Sequence, residues 1–251
     1  MKIELFNDNF QNYKSYHIPT KAQLVIADIP YNLGRNAYAS NKNWYIDGKI
    51  TKDPSAKAGK TFFNTDEHFN IAEFFHFTSK MLKDDPKLPC QAPAMIVFCA
   101  WQQIPMVVNY GQKHGFMRAY PLYFIKNSSA QVLKANMKIV GAVETAIVLY
   151  RDKLPKFHGH GHMILNWFEW RRDDKSVPKI HPTQKPVNLL KRLIEIFTDV
   201  GDTVIDPVAG SASTLRACAE LDRNAYGFEI DKTFYRDAKE QMLTNFQVSI
   251  L

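Results

Sequence analysis

Short apolar runs alternate along this chain with longer segments in which apolar residues recur at helical spacing. The runs predict β-strands over 23–28, 94–100, 121–126, 145–151, 202–207 and 225–230. The helical spacing predicts amphipathic helices over 67–83, 186–197, 213–222 and 231–243. Because strands that alternate with helices are typical of α/β proteins, we predict a doubly wound, mostly parallel sheet.

Two stretches interrupt this alternation. Residues 32–66 are rich in Asn, Lys, Gly and Ser and have no apolar period, which indicates a long loop of the kind that often carries function. Residues 152–180 combine basic, aromatic and histidine side chains. His158, His160 and His162 alternate there with glycine, which allows a zinc site. A loop that faces nucleic acid fits better, because no carboxylate or cysteine lies close by.

Positive charge is concentrated in one part of the chain. There are 32 Lys and Arg against 25 Asp and Glu, and 13 of the basic but only 5 of the acidic residues lie between positions 126 and 192. A basic segment with interleaved aromatic residues predicts contact with nucleic-acid phosphates. The candidate contacts, each of which taken alone is most simply a surface charge, are Lys126, Lys134, Lys153, Lys156, Arg171 and Arg172. The tryptophans that either stack on bases or pack are Trp44, Trp167 and Trp170.

Membrane insertion and a disulfide framework are not expected. No apolar run approaches the roughly 20 residues needed to cross a bilayer, and acidic and amide residues interrupt the first ten positions, unlike a signal peptide. Three cysteines, an odd number without paired spacing, fit reduced thiols. We therefore expect a cytoplasmic protein without a membrane partner.

The stretch "VIDPVAGSASTL" (204–215) predicts a nucleoside site. A strand ends there at Asp206 and Pro207, and small residues lead into a helix, so a ligand can approach the backbone and the free N–H groups of the helix. Glu229 follows 23 positions after Asp206, at the end of the next strand, where nucleoside-binding folds hold ribose hydroxyls. A turn of small residues that packs for its own sake is the alternative.

A second strand, in "VIADIPYNLG" (25–34), ends at Asp28 and continues with Ile29, Pro30 and Tyr31. In a doubly wound sheet, ligands bind beyond the carboxyl ends of the strands, where the strand order switches. We therefore expect Asp28 and Asp206 to be neighbours, although 178 positions separate them. A lone Asp is more often a turn former, but an Asp-x-Pro-Tyr quartet at a strand end is much less common.

Taken together, these residues resemble a known family. "DIPY" resembles the Asp-Pro-Pro-Tyr motif of amino-group DNA methyltransferases, and "HPTQKPVNLL", "DTVIDPVAGSASTL" and "NAYGFEID" resemble the cofactor half of that family. The order of the motifs resembles the permuted β class. The resemblance implies a Rossmann-like fold and S-adenosylmethionine as cofactor. It divides the chain into a catalytic half (1–150), a target-recognition segment (151–180) and a cofactor-binding half of the same domain (181–251).

The resemblance also implies roles for individual residues. The Asp28 carboxylate and the Ile29 carbonyl would accept hydrogen bonds from the adenine N6 amino group, Pro30 would fix the turn, and Tyr31 would stack on a flipped base. Asp8 would contact the cofactor adenine, and the other cofactor contacts would be His181, Thr183, Lys185, Asp206, Pro207, Gly210, Ser211, Thr214 and Glu229. His181, Thr183 and Lys185 are expected at the methionine end.

Two positions depart from the family pattern. Ile29 replaces the first Pro of the motif, which should be tolerated because its backbone carbonyl is the useful group. Ala212 replaces the second Gly of the usual "GSGTT", so we expect its methyl group either to crowd the cofactor or to require a negative φ.

More narrowly, "DIPYNLGRNAYASN", "SAQVLKANMKIVG" and "LYRDKLPKF" resemble the second adenine methylase of DpnII-type restriction systems and its phage relatives. That resemblance implies GATC as the target and tolerance of single-stranded DNA. The alternatives are methylation of cytosine N4 or RNA adenine, a DNA-binding protein that has lost catalysis and, last, a nicotinamide-dependent oxidoreductase. The oligomeric state stays open, with a homodimer as one option.

Overall fold

The computed structural model describes residues 1–18, 21–31, 69–127, 132–134, 137, 139–159, 161–181 and 183–244. The predicted loop over 32–66, Trp44 and His160 therefore lie outside the described residues. Over the described part, no helix has both the length and the apolar character needed to cross a membrane.

An eight-stranded sheet forms the centre of the described structure, in the order β1-β10-β9-β2-β3-β7-β4-β8. Its strands are β1 (Ile3–Phe6), β2 (Leu24–Asp28), β3 (Ala94–Cys99), β4 (Arg118–Lys126), β7 (Val143–Tyr150), β8 (Trp167–Trp170), β9 (Thr203–Asp206) and β10 (Asn224–Phe228). A separate antiparallel pair is formed by β5 (Val132–Lys134) and β6 (Ile139–Val140). Within the large sheet only β7 runs antiparallel to its neighbours, so the mostly parallel prediction is confirmed.

The α-helices are α1 (Ile71–Met81), α2 (Ile104–Lys113), α3 (Val187–Phe197), α4 (Ser213–Glu220) and α5 (Lys232–Asp237). Short 3₁₀ turns cover Phe10–Ser15 and Trp101–Gln103, and a π-helical turn over Ala238–Met242 continues α5. The sequence pattern had not predicted β1, α2 or β8. Helix α2 packs through a short apolar stripe, in which Val107 and Gly111 are buried and Ile104 and Val108 are partly buried.

Two apolar layers cover the two faces of the sheet. Alternate residues of β2 contribute to different layers: Leu24 and Ile26 pack with α3 and α4, whereas Val25 and Ala27 pack with α1. This is the behaviour of a strand buried on both faces. The doubly wound prediction is confirmed.

The strand order switches at β2, which lies between β9 and β3. From β9 the sheet continues through β10 to β1, and from β3 it continues through β7 to β4 and β8. β2 and β9 are parallel, with Leu24 opposite Val204 and Val25 opposite Ile205. Their carboxyl ends therefore meet at the same edge of the sheet, which confirms that the Asp28 and Asp206 turns are neighbours.

Candidate active site

The turn after β2 is tied to the end of β3. The backbone N–H of Ile29 donates to the Phe98 carbonyl at 3.2 Å, and the Gln103 side-chain amide donates to the Pro30 carbonyl at 2.8 Å. The Oε1 atom of Gln103 accepts from the Ala100 N–H at 2.9 Å. A single amide side chain thus fixes the Asp-Ile-Pro-Tyr turn relative to the neighbouring strand.

Four charged side chains of alternating sign form what we call the charge cluster: Asp28, Lys185, Glu144 and Lys126. The Lys185 ammonium lies 2.5 Å from Asp28 Oδ2 and 3.2 Å from Glu144 Oε2, and Lys126 binds Glu144 Oε1. The Tyr31 hydroxyl donates to Glu144 Oε2 at 3.3 Å. Residues that are distant in the sequence, from β2, β4, β7 and the start of α3, therefore converge on one site.

Aromatic rings enclose the two lysines of the charge cluster. The Lys126 Nζ lies 4.5 Å from the centroid of the Trp170 ring. The Lys185 Nζ lies 5.1 to 5.6 Å from the ring centroids of Phe98, Tyr31 and Trp170. Cations held over aromatic faces are stabilised by the ring quadrupole. The rings also limit the water that reaches the cluster.

Asp28 keeps one acceptor free. Its Oδ1 atom is buried and has no hydrogen-bond partner among the described residues, although Oδ2 is bound by Lys185. Burial raises the pKa of Asp28 above its usual range; the Lys185 charge opposes the rise and the Glu144 charge adds to it. A buried acceptor without a donor costs free energy, so this oxygen is suited to receive an N–H from a bound molecule.

Lys185 and Glu144 stabilise the charged forms of each other. Burial acts to lower the pKa of Lys185, but Asp28 and Glu144 outweigh it and raise that pKa above its ordinary value. Burial acts to raise the pKa of Glu144, but Lys185 and Lys126 outweigh it and lower that pKa. Two lysines and two carboxyl groups therefore alternate in a site that aromatic rings partly enclose.

The turn after β9 leaves space beside its backbone. Gly210 has φ +52°, and a Cβ added at Gly210 would meet no atom within 4 Å. Ala212 has φ +58°, so the expectation that an alanine requires a negative φ there is wrong. Ala212 takes the left-handed conformation that glycine adopts freely, at a cost of about 1 kcal/mol, and its methyl group is buried in the apolar layer of α3 and α4.

Two buried acids border this turn. Burial raises the pKa of Asp206 to about 7, and the Asp28 charge adds to the rise, although Thr214 and the Val208 N–H donate to Asp206. Burial also raises the pKa of Glu229 to about 7. The Oε2 atom of Glu229 accepts from the Gly210 N–H at 2.8 Å, so this acid lies directly at the turn.

The remaining predicted cofactor residues surround the same edge of the sheet. The Asp8 carboxylate accepts hydrogen bonds from the Tyr16 hydroxyl, the Asn12 side-chain amide and the Asn9 backbone N–H. These hydrogen bonds outweigh the effect of burial and lower the pKa of Asp8. His181 packs on Phe234 at 4.4 Å, and burial followed by the Lys185 charge lowers its pKa to about 4. Thr183 Oγ1 lies 3.1 Å from His181 Nδ1, Ser211 Oγ lies 2.8 Å from Ser213 Oγ, and Pro207 is buried.

Several predicted positions have contacts other than the expected ones. Lys156, predicted to bind DNA, is only 6% exposed and its ammonium lies 2.5 Å from Asp199 and 2.8 Å from Asp202, so this prediction is wrong. Lys126, also predicted to bind DNA, forms an ion pair with Glu144. Lys185, expected at the methionine end of the cofactor, instead places its ammonium on Asp28 and Glu144.

Of the other candidate DNA contacts, three side chains are exposed. Lys153 donates to the Pro86 carbonyl, and Arg171 pairs with Glu169. Arg172 lines a cavity of about 350 Å³ together with Asn127, Trp170 and Arg171, next to the charge cluster. The Lys134 side chain lies outside the described part. No group of three His, Cys, Asp or Glu in the described ranges is placed to hold a metal ion.

Sequence reasoning missed Glu144, Phe98 and Gln103 as site residues, whereas Trp170, predicted either to stack on bases or to pack, lies over Lys126 and Lys185. Only Glu144 carries a usable signal: it is a lone carboxylate near the start of β7, whose following residues are nearly all buried and apolar. The Phe98 and Gln103 side chains lie in the site because of tertiary packing, which no local pattern marks.

Comparison with known proteins places this arrangement in a family. The chain is 25% identical over 237 residues to the DNA adenine methyltransferase YhdJ of Escherichia coli, covering 87% of this chain and 76% of that protein. It is 37% identical over 62 residues to the type II methyltransferase M2.DpnII of Streptococcus pneumoniae, covering 25% of this chain and 23% of that protein.

Solved structures share the fold at low sequence identity. The complex of M1.HpyAVI with S-adenosylmethionine is 19% identical, with a TM-score of 0.68 and coverage of 96% of this chain and 98% of that chain. The cytosine-N4-specific PvuII DNA methyltransferase is 17% identical, with a TM-score of 0.65 and coverage of 99% and 91%. The model of the N6/N4 DNA methylase family matches residues 22–240. The chain therefore belongs to this family of S-adenosylmethionine-dependent DNA methylases.

Proposed function

We propose that this methylase acts on the N6 amino group of adenine in DNA. The observation that carries the proposal is Asp28 Oδ1, a buried acceptor at the carboxyl edge of the sheet, beside the Asp206 turn, to which no described residue donates. An exocyclic amino group supplies the N–H donor that this oxygen lacks. The relative YhdJ, which matches over most of the chain, is a DNA adenine methyltransferase by name.

The residues at the β9 turn fit S-adenosylmethionine. Gly210 leaves open space beside the backbone, and Glu229 and Asp206 provide acceptors for hydroxyl and amino groups. We assign Glu229 to the ribose and Asp8 to the adenine of the cofactor, with Pro207, Ser211 and Thr214 shaping the turn and His181 and Thr183 at the methionine end. When bound, S-adenosylmethionine supplies an electrophilic methyl group on a sulfonium.

The chain's own residues prepare the amino group. An adenine N6 lone pair is delocalised into the ring, and acceptors on both N–H bonds make it available at the nitrogen. Asp28 Oδ1 and the Ile29 carbonyl are these two acceptors, and the Gln103 bond to Pro30 holds their turn in place. Tyr31 stacks on the base, which offsets much of the few kcal/mol needed to flip it from a duplex. Positioning of this kind contributes much of the rate.

The finer assignment is GATC as target, with single-stranded as well as duplex DNA accepted. It is supported by the local similarity to M2.DpnII and by a stacking site that needs no paired strand. Exposed Arg171, Arg172 and Lys153 in the target-recognition segment are the proposed phosphate contacts. All groups of the proposed site belong to one chain; a homodimer stays a prediction, which sedimentation at micromolar concentration checks.

The experiment measures transfer of a tritiated methyl group to duplex and single-stranded oligonucleotides with and without GATC. Digestion to nucleosides and mass spectrometry then identifies the product. We expect N6-methyladenine from GATC substrates of both kinds. We expect Asp28→Ala to lose at least about 10²–10³-fold in kcat, because a positioned hydrogen-bonding group of this kind contributes that much.

The matched control is Asp84→Ala, which removes an exposed carboxylate paired only with Lys21. It should methylate at the wild-type rate, and calorimetry should show that Asp28→Ala still binds S-adenosylmethionine. N4-methylcytosine as the product would refute adenine specificity. Normal turnover by Asp28→Ala would refute the role of Asp28 itself.

A further inference from the structure

Lys185 contacts the Asp28 carboxylate directly. Its ammonium contacts Oδ2 at 2.5 Å, a second contact joins it to Glu144, and Oδ1 has no partner in the described part of the chain. Lys185 is itself 8% exposed and covered by Phe98, Tyr31 and Trp170. The lysine is thus held in one position by two carboxylates and three rings.

Most other ionisable groups around Asp28 do not stabilise its ionised carboxylate. Glu144 on β7 and Asp206 on β9 are negative in their charged forms, and the Tyr31 hydroxyl and the Cys99 thiol on β3 bring no positive charge. Lys126 on β4 is positive but is bound to Glu144. Among the described residues, Lys185 is the cation in direct contact with Asp28.

On the basis of the proposed function, we infer that Lys185 is a positioning residue for methyl transfer. It keeps Asp28 in the charged form and fixes its Oδ2, so that Oδ1 points to the amino group as an acceptor. Glu144 holds Lys185 in this position, and Lys126 and Tyr31 hold Glu144. Without Lys185, the pKa of Asp28 would rise further, because burial and the Glu144 charge would no longer be opposed by a cation in direct contact.

The test compares Lys185→Gln, Lys185→Arg and the double variant Lys185→Gln/Glu144→Gln. The readouts are kcat and KM against pH, and the affinity for S-adenosylmethionine by calorimetry. An opposite charge at contact distance shifts a carboxyl pKa by about 1–3 units. The acid limb of the kcat profile of Lys185→Gln should therefore move upward by at least about 1 pH unit, with a loss near pH 7 that recovers toward pH 9.

Lys185→Arg keeps the charge and should keep a profile near that of the wild type. The double variant also removes the repulsion from Glu144, so the acid limb of its kcat profile should lie between that of Lys185→Gln and that of the wild type. A merely structural role would not produce this rescue. The control Lys191→Gln removes a lysine of α3 that pairs with Glu220, and should leave the profile unchanged.

Carbon-13 NMR of labelled Asp carboxyls, with Asp28→Asn to assign the signal, follows Asp28 without any turnover. If the proposed function fails, no substrate is methylated, but Lys185→Gln still raises the pKa of Asp28 in the NMR titration. If the inference fails, the wild type methylates DNA and the pKa of Asp28 is the same in Lys185→Gln as in the wild type. Loss of S-adenosylmethionine affinity in Lys185→Gln with an unchanged kcat profile would assign Lys185 to the cofactor and overturn the inference.

Discussion

Two clusters of paired charges lie at opposite ends of the same strands. The charge cluster of Asp28, Lys185, Glu144 and Lys126 occupies the carboxyl edge of the sheet. The second, which we call the amino-end cluster, joins Lys83 and Lys156 to Asp199 and Asp202 just before β9.

The two clusters differ in how completely their acceptors are used. In the amino-end cluster Asp202 accepts from Lys83, Lys156 and the Asp199 N–H. In the charge cluster Asp28 Oδ1 has no donor among the described residues. Ion pairing is common to both clusters, so it does not by itself mark a functional site. The free acceptor separates a site prepared for a ligand from one that holds the fold together.

The largest effect that tests this difference is on catalysis. Asp28→Asn keeps a side-chain acceptor oxygen but removes the charge that Lys185 binds, so we expect kcat to fall by about 100-fold while residual activity remains. The free energy of unfolding should change by no more than about 1 kcal/mol, because Lys185 keeps Glu144. Single-turnover methylation and urea unfolding measure the two quantities. A stability loss without a rate loss would make the charge cluster structural.

The amino-end cluster should show the reverse pattern. Lys156→Met leaves Asp199 and Asp202 without their shared cation, and we expect a loss of about 2–3 kcal/mol in the free energy of unfolding. The folded variant should methylate and bind DNA like the wild type, because Lys156 does not face solvent. Urea unfolding and a DNA-binding titration check this. Weakened DNA binding at unchanged stability would restore the original prediction for Lys156.

The two ends of β9 should respond to pH in opposite directions. Burial raises the pKa of Asp206 to about 7, so its contribution to stability is present below about pH 4 and is lost as the pH rises through 7. The pKa of Asp202 is lowered, because hydrogen bonds from Lys156 and Lys83 outweigh burial. Its contribution is present above its unfolded pKa, near 3.8, and is lost as the pH falls below that value.

Asp206→Asn should therefore become more stable relative to the wild type between pH 5 and pH 8, by about 1–2 kcal/mol or a Tm difference of about 3–6 °C. Asp202→Asn should be the less stable protein across that range and approach the wild type only in acid. Thermal unfolding of the three proteins across pH measures this. If the Tm of the two variants, relative to the wild type, changed with pH in the same way, the assigned pKa shifts of Asp206 and Asp202 would be contradicted.

The smallest expected effect concerns the exposed arginines near the charge cluster. Arg171 is paired with Glu169, whereas Arg172 is exposed and lines the cavity beside Trp170. We expect Arg172→Ala to weaken DNA binding and to lower the slope of log K against log salt by about 1. Arg171→Ala should change the slope less. Fluorescence anisotropy at several salt concentrations measures both, and equal slopes would contradict the distinction.

The sequence was sufficient for the fold and for the edge where the site lies. Apolar runs that end in Asp28 and Asp206 predicted two neighbouring strand ends, because a parallel sheet places its carboxyl ends together. Patterns could not tell which lysines face inward. Lys126, Lys156 and Lys185 lie in the same basic segment as Arg172, yet the structure gives the three lysines buried carboxylate partners from distant positions. Such partners depend on tertiary packing, as does the Gln103 bond to Pro30.

Trp170 joins two parts of the molecule through one indole. It ends β8, the edge strand of the sheet, where it lines the cavity with Arg172 and covers the ammonium groups of Lys126 and Lys185. One ring at the edge of the sheet therefore forms part of the wall of the cavity and part of the cover over both ammonium groups, so a Trp170 substitution alters both at once.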